Sequence, residues 1–324
     1  MNLLIITNNP ERAGFRQRIG MYLDTLRAGG IECDVVKLPT GFLARRKLFG
    51  HAARYEGIFL QKKTLNIFDA FFLRKYSKKI IYDFDDAIMY SDKNSEIPSR
   101  KRLRSFRRTA KLADTIIAGN SYLAGLAEKH NPNTNILPTG LDTKVYKVKK
   151  NPERDNKIRL VWIGSKATLM YLAEIRPALE KIGSQFDNVI LRIICDEFFD
   201  LQNMPVEKCC WTAQTEVRDL ITSDIGLSPL PDNKFTRGKC GFKILQYFSA
   251  GLPVVASPVG VNVDFVGDMS AGFFASDGSE WIEAIAKLIK NPELRAKMGE
   301  RGAMIAEKFD VSVIGQKLAA LLLQ

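Results

Sequence analysis

The chain has 324 residues, 46% of them hydrophobic, with no repeat or low-complexity tract, so two domains are expected rather than one compact core. Its formal charge of +12, from 48 Lys and Arg against 36 Asp and Glu, predicts an anionic partner: nucleic acid, anionic lipid or a phosphorylated ligand. Five cysteines without a CxxC spacing and two distant histidines, His51 and His130, argue against a zinc site and for reduced, mostly buried thiols.

The opening apolar run, Leu3–Thr7, is too short for a signal sequence and meets the turn Asn8-Asn9-Pro10, so it reads as a first strand. No run approaches the roughly 18 apolar residues of a membrane span, and a cytoplasmic protein is expected. Further strands are predicted at Cys33–Lys37, Gly57–Leu60, Ile80–Tyr82, Thr115–Ala118 and Asn135–Leu137. Helices are predicted at Gln17–Ala28, Phe68–Tyr76, Arg100–Leu112 and Ser121–Glu128, the first stopped by Gly29-Gly30. The polar segment Lys147–Lys157 has the composition of a linker, and the pattern then restarts.

In the second half, strand Leu160–Ile163 ends in Gly164-Ser165-Lys166 and leads to a helix at Tyr171–Gly183. Strand Val189–Cys195, helix Glu216–Thr222, strand Ile225–Ser228 and a long helix at Glu280–Lys290 follow. Strands alternating with helices predict an α/β protein with parallel sheets. The expected organisation is a Rossmann-like domain over 1–148 and a second over 149–310, with a terminal helix at about 311–324 packing back on the first. Two such domains facing a cleft would place ligands at the carboxyl ends of their strands.

The most informative stretch is Arg237–Asn262. A basic loop enters a helix predicted from Phe242 to Ala250, Gly251 and Pro253 stop it, and Val254–Ala256 reads as a buried strand before the turn Pro258–Gly260. Cations at a helix mouth beside glycine-rich turns suit a phosphate, because free helix N–H groups and the positive dipole end add to the side-chain charge. Lys239 and Lys243 sit four apart, so on one helix they would share a face, and Arg237 is a third candidate.

Several runs, taken in order, resemble the GT-B glycosyltransferases, specifically glycosyltransferase family 4. Pro138-Thr-Gly-Leu-Asp-Thr-Lys-Val-Tyr146 is similar to the family's interdomain signature, and Val161-Trp-Ile-Gly-Ser165 to its first strand and loop of the second domain. Ser223-Asp-Ile-Gly-Leu-Ser-Pro-Leu230 resembles the strand before the donor site, and Lys243 to Gly260 the donor helix and turn. Tyr82-Asp-Phe-Asp-Asp-Ala87, with Lys239 and Lys243, resembles a subgroup of bacterial surface-polysaccharide transferases.

The resemblance implies a hexosyltransferase-type enzyme that moves a sugar, with retention, from a UDP- or GDP-linked donor to a hydroxyl acceptor such as a glycan or lipid-linked glycan. It implies no bound metal and no cofactor beyond the nucleotide-sugar substrate. Donor-binding residues are then expected at Lys239, Lys243, Arg237, Phe242 and Gln246, at Ser165 and Lys166, and at Gly14 in the first loop. Where relatives carry two glutamates eight positions apart, this chain has Gly238 and Gln246. Asp85 and Asp86 follow a strand at its carboxyl end and stand where relatives often place a histidine, so they are the expected catalytic or acceptor-contacting pair.

The run Arg100–Lys111 holds seven cationic residues and no acid, and as an amphipathic helix it would attract an anionic membrane surface. Arg45-Arg46-Lys47, beside Phe42, Leu43, Leu48 and Phe49, would add to that surface, giving a peripheral protein at the inner membrane face. No nucleic-acid motif accompanies the charge. Two other readings stay open: a nucleotide-sugar 2-epimerase of the same architecture, and a catalytically weak basic protein that binds nucleotide or glycan.

Overall fold

The computed structural model describes residues 1–146, 155–267 and 269–324, so most of the linker-like segment, residues 147–154, lies outside the described residues. The chain forms two compact units, each with its own sheet. The first comprises Met1–Leu141, Asn233–Cys240 and Val311–Gln324, and the second Asp142–Asp232 and Gly241–Asp310. The boundary thus falls at Leu141/Asp142 rather than at 148, and Asn233–Cys240, expected in the second domain, lies in the first unit.

The first unit runs β1 (Asn2–Thr7), α1 (Ala13–Arg16), α2 (Leu23–Ala28), β2 (Glu32–Lys37), α3 (Phe42–His51), β3 (Gly57–Gln61), α4 (Ile67–Tyr76), β4 (Ile80–Phe84), α5 (Arg100–Leu112), β5 (Thr115–Ala118), α6 (Ser121–Glu128) and β6 (Thr134–Ile136). Its six strands are ordered β2-β1-β3-β4-β5-β6, with every described pairing parallel. Strands β3, β4 and β5 are buried along their whole length, as parallel strands covered on both faces must be.

The helix expected over Gln17–Ala28 is broken into α1, a 3-10 turn at Gly20–Tyr22 and α2. The break lets Arg18 turn into the interior, where it is 1% exposed. Asn66 caps α4 by accepting from the Asp69 N–H at 2.9 Å, and its Nδ2 donates to the Asp69 carboxylate.

The second unit runs β7 (Ile158–Ile163), α7 (Lys166–Glu174), α8 (Arg176–Gln185), β8 (Val189–Cys195), β9 (Val206–Cys210), α9 (Glu216–Ile221), β10 (Ile225–Ser228), α10 (Phe242–Ser249), β11 (Val254–Ala256), α11 (Val261–Val266), β12 (Gly272–Phe274), α12 (Gly278–Lys290) and α13 (Pro292–Glu307). A last helix, α14 (Val311–Leu323), belongs to the first unit. The second sheet also has six strands, ordered β12-β11-β10-β7-β8-β9. The single helix expected over Tyr171–Gly183 is two helices, because Pro177 lacks the N–H an uninterrupted helix would need and starts α8 instead.

Both sheets reverse strand order beside their first strand, between β1 and β3 in one unit and between β7 and β10 in the other. At such a point the crossovers depart to opposite faces, which opens a crevice at the carboxyl ends of the two strands. Among the described residues no helix is long and apolar enough to cross a membrane.

Candidate active site

In the first unit the reversal point is closed by side chains from both strands. Thr7 at the end of β1 donates its hydroxyl to Gln61 Oε1 at 2.6 Å, and Gln61 Nε2 donates to the Gly14 carbonyl at 3.0 Å. Gly14 therefore sits where the β1 loop is tied over the crevice. A methyl group on its Cα would meet nothing within 4 Å, so the backbone there is open to a ligand.

One strand further, β4 extends past the expected Tyr82 to Phe84, so Asp83 is a strand residue and is 1% exposed. It accepts three N–H bonds from Arg18, at 2.7, 3.0 and 3.2 Å, while Arg18 Nη1 donates to the Leu137 carbonyl at 2.6 Å. Burial disfavours both charges, but Asp83 outweighs it for Arg18 and raises the guanidinium pKa.

Asp85 and Asp86 follow at the carboxyl end of β4, as the sequence placed them. Lys62 Nζ lies 3.0 Å from Asp85 Oδ1 and also bonds Asp86, and Lys239 Nζ lies 3.2 Å from the other Asp86 oxygen. Burial works against the Asp86 carboxylate, yet Lys239 and Lys62 outweigh it and hold its pKa below the ordinary value. A carboxylate held that way is a weak base, so Asp86 is better suited to accepting hydroxyl hydrogen bonds than to removing a proton. Asp85 Oδ1 is buried against the Lys62 ammonium.

Lys62 was not anticipated by the sequence reading. Its φ of +55° is the left-handed region, rare outside glycine, and its N–H donates to the Asp83 carbonyl at 2.6 Å. That turn directs the ammonium towards both aspartates. Cys240 donates its thiol to the Asp85 carbonyl at 3.2 Å, and burial, with Asp85, pushes the thiol pKa up, so it is a structural thiol. Asn120 caps α6 and donates to the Lys239 carbonyl at 3.0 Å, which fixes the loop carrying Lys239.

The expectation that Lys239 and Lys243 share a helix face is not met. Helix α10 starts at Phe242 after its left-handed cap Gly241, and Lys239 lies before it, at the end of the 3-10 turn Thr236–Gly238 that carries exposed Arg237. Lys239 also lies 4.3 Å from the centre of the Phe235 ring. Gly238 has a steric reason to be glycine: a Cβ there would come within 2.6 Å of Ala87 Cβ and 2.8 Å of its backbone nitrogen. Gly238→Ala is expected to lower stability by about 1–3 kcal/mol, read as a lower urea midpoint, because the clash is with backbone that cannot turn aside.

In the second unit the reversal point lies between β7 and β10. These strands pair only at Leu160 and Val161, and Tyr247 of α10 spans them further on. Its hydroxyl accepts from the Ile163 N–H at 3.0 Å and donates to the Leu227 carbonyl at 3.1 Å. Gly226 makes room for that ring, since a Cβ there would approach Tyr247 to 2.5 Å.

At the end of β7, Trp162 is fully buried beneath Gly164, and Lys243 in the first turn of α10 holds its ammonium 4.4 Å from the indole centre. Phe242, beside it, is half-buried. Ser165 caps α7, its N–H bonded to Thr168 Oγ1 at 3.3 Å, and Lys166 opens that helix, exposed and paired with Glu197. Lys243, in the first turn of α10, thus stands over the Trp162 ring at the end of β7.

Gln246 points into a polar cluster that the sequence reading missed. Its Nε2 donates to Glu216 Oε1 at 2.8 Å and to Tyr146 Oη at 3.3 Å, Tyr146 donates to the same carboxylate at 2.9 Å, and Trp211 Nε1 takes its other oxygen. An amide is the fitting residue at 246 because it supplies a donor. A glutamate would set two carboxylates side by side. Glu216 was legible only as a helix-start residue, 30 positions away in sequence. Among the described residues, no group of three or more His, Cys, Asp and Glu is arranged to hold a metal ion.

Residues 223–304 match the family model "Glycosyl transferases group 1". No curated protein sequence matches the chain. Among solved structures it is similar to Anabaena HepE in complex with UDP and glucose, at 17% identity and a TM-score of 0.76 over 99% of each chain. It is also similar to sucrose-phosphate synthase from Thermosynechococcus elongatus, at 14% identity and 0.73, covering 100% of this chain and 98% of that one. The lipopolysaccharide-biosynthesis glycosyltransferase WaaG matches at 14% identity and 0.66, covering 98% and 99%. The chain thus has the GT-B glycosyltransferase fold, and its residues 223–304, most of them in the second unit, are similar to the group 1 glycosyl transferases.

Proposed function

We propose that this transferase, of the family 4 type, moves a sugar from a UDP- or GDP-linked donor to a hydroxyl of a glycan or lipid-linked glycan in polysaccharide biosynthesis, with retention and without a bound metal. The observation that carries the reading is the arrangement at the β7/β10 reversal point, where Lys243 in the first turn of α10 lies over Trp162, at the end of β7 and just before the loop into α7. Helix N-termini with an adjacent cation are a phosphate site by charge and by free N–H groups. Lys243, Ser165 and Lys166 would take the donor diphosphate, with Phe242 flanking it. Gln246, oriented by Glu216, would serve the nucleoside, since an amide can both donate to and accept from ribose hydroxyls.

In the first unit, Asp85 and Asp86 would accept hydrogen bonds from acceptor hydroxyls, under a loop whose open backbone at Gly14 admits a substrate. Lys62 pairs with both aspartates and Lys239 with Asp86, and Arg237 adds positive charge on the same loop as Lys239. Retention rests on the family resemblance. A cytoplasmic protein held at an anionic membrane face fits both a lipid-linked acceptor and the charge of +12.

A thermal-shift series with UDP, GDP, ADP and their sugar conjugates tests the donor assignment, because a ligand that binds only the native state raises its stability. UDP or GDP at about a hundred times its Kd should stabilise the protein by about 2.7 kcal/mol. HepE was solved with UDP and with UDP-glucose, so these are the first donors to try. No shift with any nucleotide would sink the reading.

A further inference from the structure

The first unit exposes a group of large apolar side chains that neither its core nor the proposed chemistry uses. Phe42 and Leu43 open α3 at 52% and 76% exposure, and Ile67, Phe68 and Phe71 on α4 stand at 62–63%. They form one patch. The Phe42 ring meets those of Phe68 and Phe72 edge-on, with centroids 6.3 and 6.2 Å apart, and Phe71 meets Phe72 at 5.4 Å. Isolated exposed apolar residues need no explanation, but a contiguous aromatic patch on adjacent helices does.

The surroundings of the patch are cationic. Helices α3, α4 and α5 together carry twelve Lys and Arg and a single acid, Asp69. Asp69 is buried and paired with Arg45 at 2.8 Å, so it offers no negative charge to solvent. Arg46 lies 5.0 Å from the Phe72 ring centre, at the edge of the patch. Arg108 ties α5 to the start of α4 by donating to the Leu65 carbonyl at 3.1 Å.

We propose that the α3–α4 face, with Phe42, Leu43, Ile67, Phe68 and Phe71 entering the headgroup layer and the flanking Lys and Arg on lipid phosphates, docks the protein on an anionic bilayer. Exposed aromatic side chains on helices rich in cations, with Arg46 at the patch edge, match a surface that is apolar below and negative above, which charge alone or an apolar face alone would not. This moves the membrane contact expected at Arg100–Lys111. That helix buries Phe106, Thr109 and Ala110 in the core and presents cations without large apolar residues to insert. It supports the contact by charge, while α3 and α4 supply the depth. The inference deepens the membrane part of the proposed function and is independent of the donor chemistry.

The test is co-sedimentation of the full chain with vesicles of phosphatidylcholine, alone or with about 30 mol% phosphatidylglycerol. Binding is expected only to the anionic vesicles and should weaken as salt is raised. The exposed triple variant Leu43→Ser/Phe68→Ser/Phe71→Ser should bind at least tenfold less, and Arg46→Glu/Lys47→Glu should lose much of the salt dependence. Both should keep the wild-type thermal response to UDP, so failure of docking is distinguishable from failure of the donor assignment. A single Phe68→Trp should show blue-shifted emission with anionic vesicles. Wild-type affinity in the triple variant, equal binding to neutral vesicles, or a wild-type dimer that the triple variant converts to monomer would each overturn the proposal.

Discussion

Arg18→Met is expected to lower the unfolding free energy by about 3–5 kcal/mol, the cost of removing one partner from a buried ion pair. Both side chains are 1% exposed, and Asp83 would keep its charge with three N–H donors removed. The Leu137 carbonyl would lose its donor as well. The deficit should depend on pH, with a sign that follows from burial. Burial raises the Asp83 pKa and Arg18 opposes that rise, so without Arg18 the carboxyl pKa climbs further above its unfolded value. A raised folded pKa on an acid makes the penalty largest at neutral pH. The penalty shrinks as pH falls through the folded value and is gone below the unfolded one. Urea titration at pH 7 and at mildly acidic pH reads both effects. Arg18→Met/Asp83→Leu should recover much of the loss, since two apolar side chains leave no buried charge. A single variant within about 1 kcal/mol of wild type at pH 7 would show that the pair is not structural.

Arg18 also marks where the sequence stops being legible. Its neighbours continue a helical pattern, so a helix over Gln17–Ala28 was the natural expectation, and nothing local signals that residue 18 turns inward to Asp83, 65 positions away. The same applies to Lys62, whose left-handed backbone is set by the Asp83 carbonyl, and to Glu216, whose partners come from three separate segments. Patterns that are local were readable. The strands Thr115–Ala118, Val189–Cys195, Ile225–Ser228 and Val254–Ala256 stand where their β-branched runs ended in turn residues. The short strand Gly272–Phe274 was missed because three residues carry no period, and its place is fixed by pairing with Val254–Ala256. Spacing placed Asp85 and Asp86 at a strand's carboxyl end, but only the fold shows that two lysines neutralise them. Reading Lys239 and Lys243 as one helix face failed because Gly241 takes a left-handed φ of +63°, which starts the helix after Lys239.

Lys243→Ala is expected to reduce turnover with a nucleotide-sugar donor by about 10²- to 10³-fold, the usual effect of removing one preorganised charge from a developing anion. The leaving diphosphate gains negative charge as the glycosidic bond breaks, so the loss should fall on kcat as well as on donor affinity. Stability should change little, because a cation over an indole contributes about 0.5–2 kcal/mol and Trp162 stays packed under Gly164. Lys243→Arg should restore part of the activity, since charge is kept while the reach and fork geometry differ. Lys166→Ala provides the contrast: its ammonium is 70% exposed and already paired with Glu197, so its removal should cost far less. Initial rates across donor concentrations, with UDP thermal shifts on the same variants, separate these outcomes. Wild-type kcat and wild-type UDP affinity in Lys243→Ala would move the diphosphate away from α10. A kcat loss with a full UDP shift would instead place Lys243 on the charge that develops during transfer, since the ground-state nucleotide would bind without it.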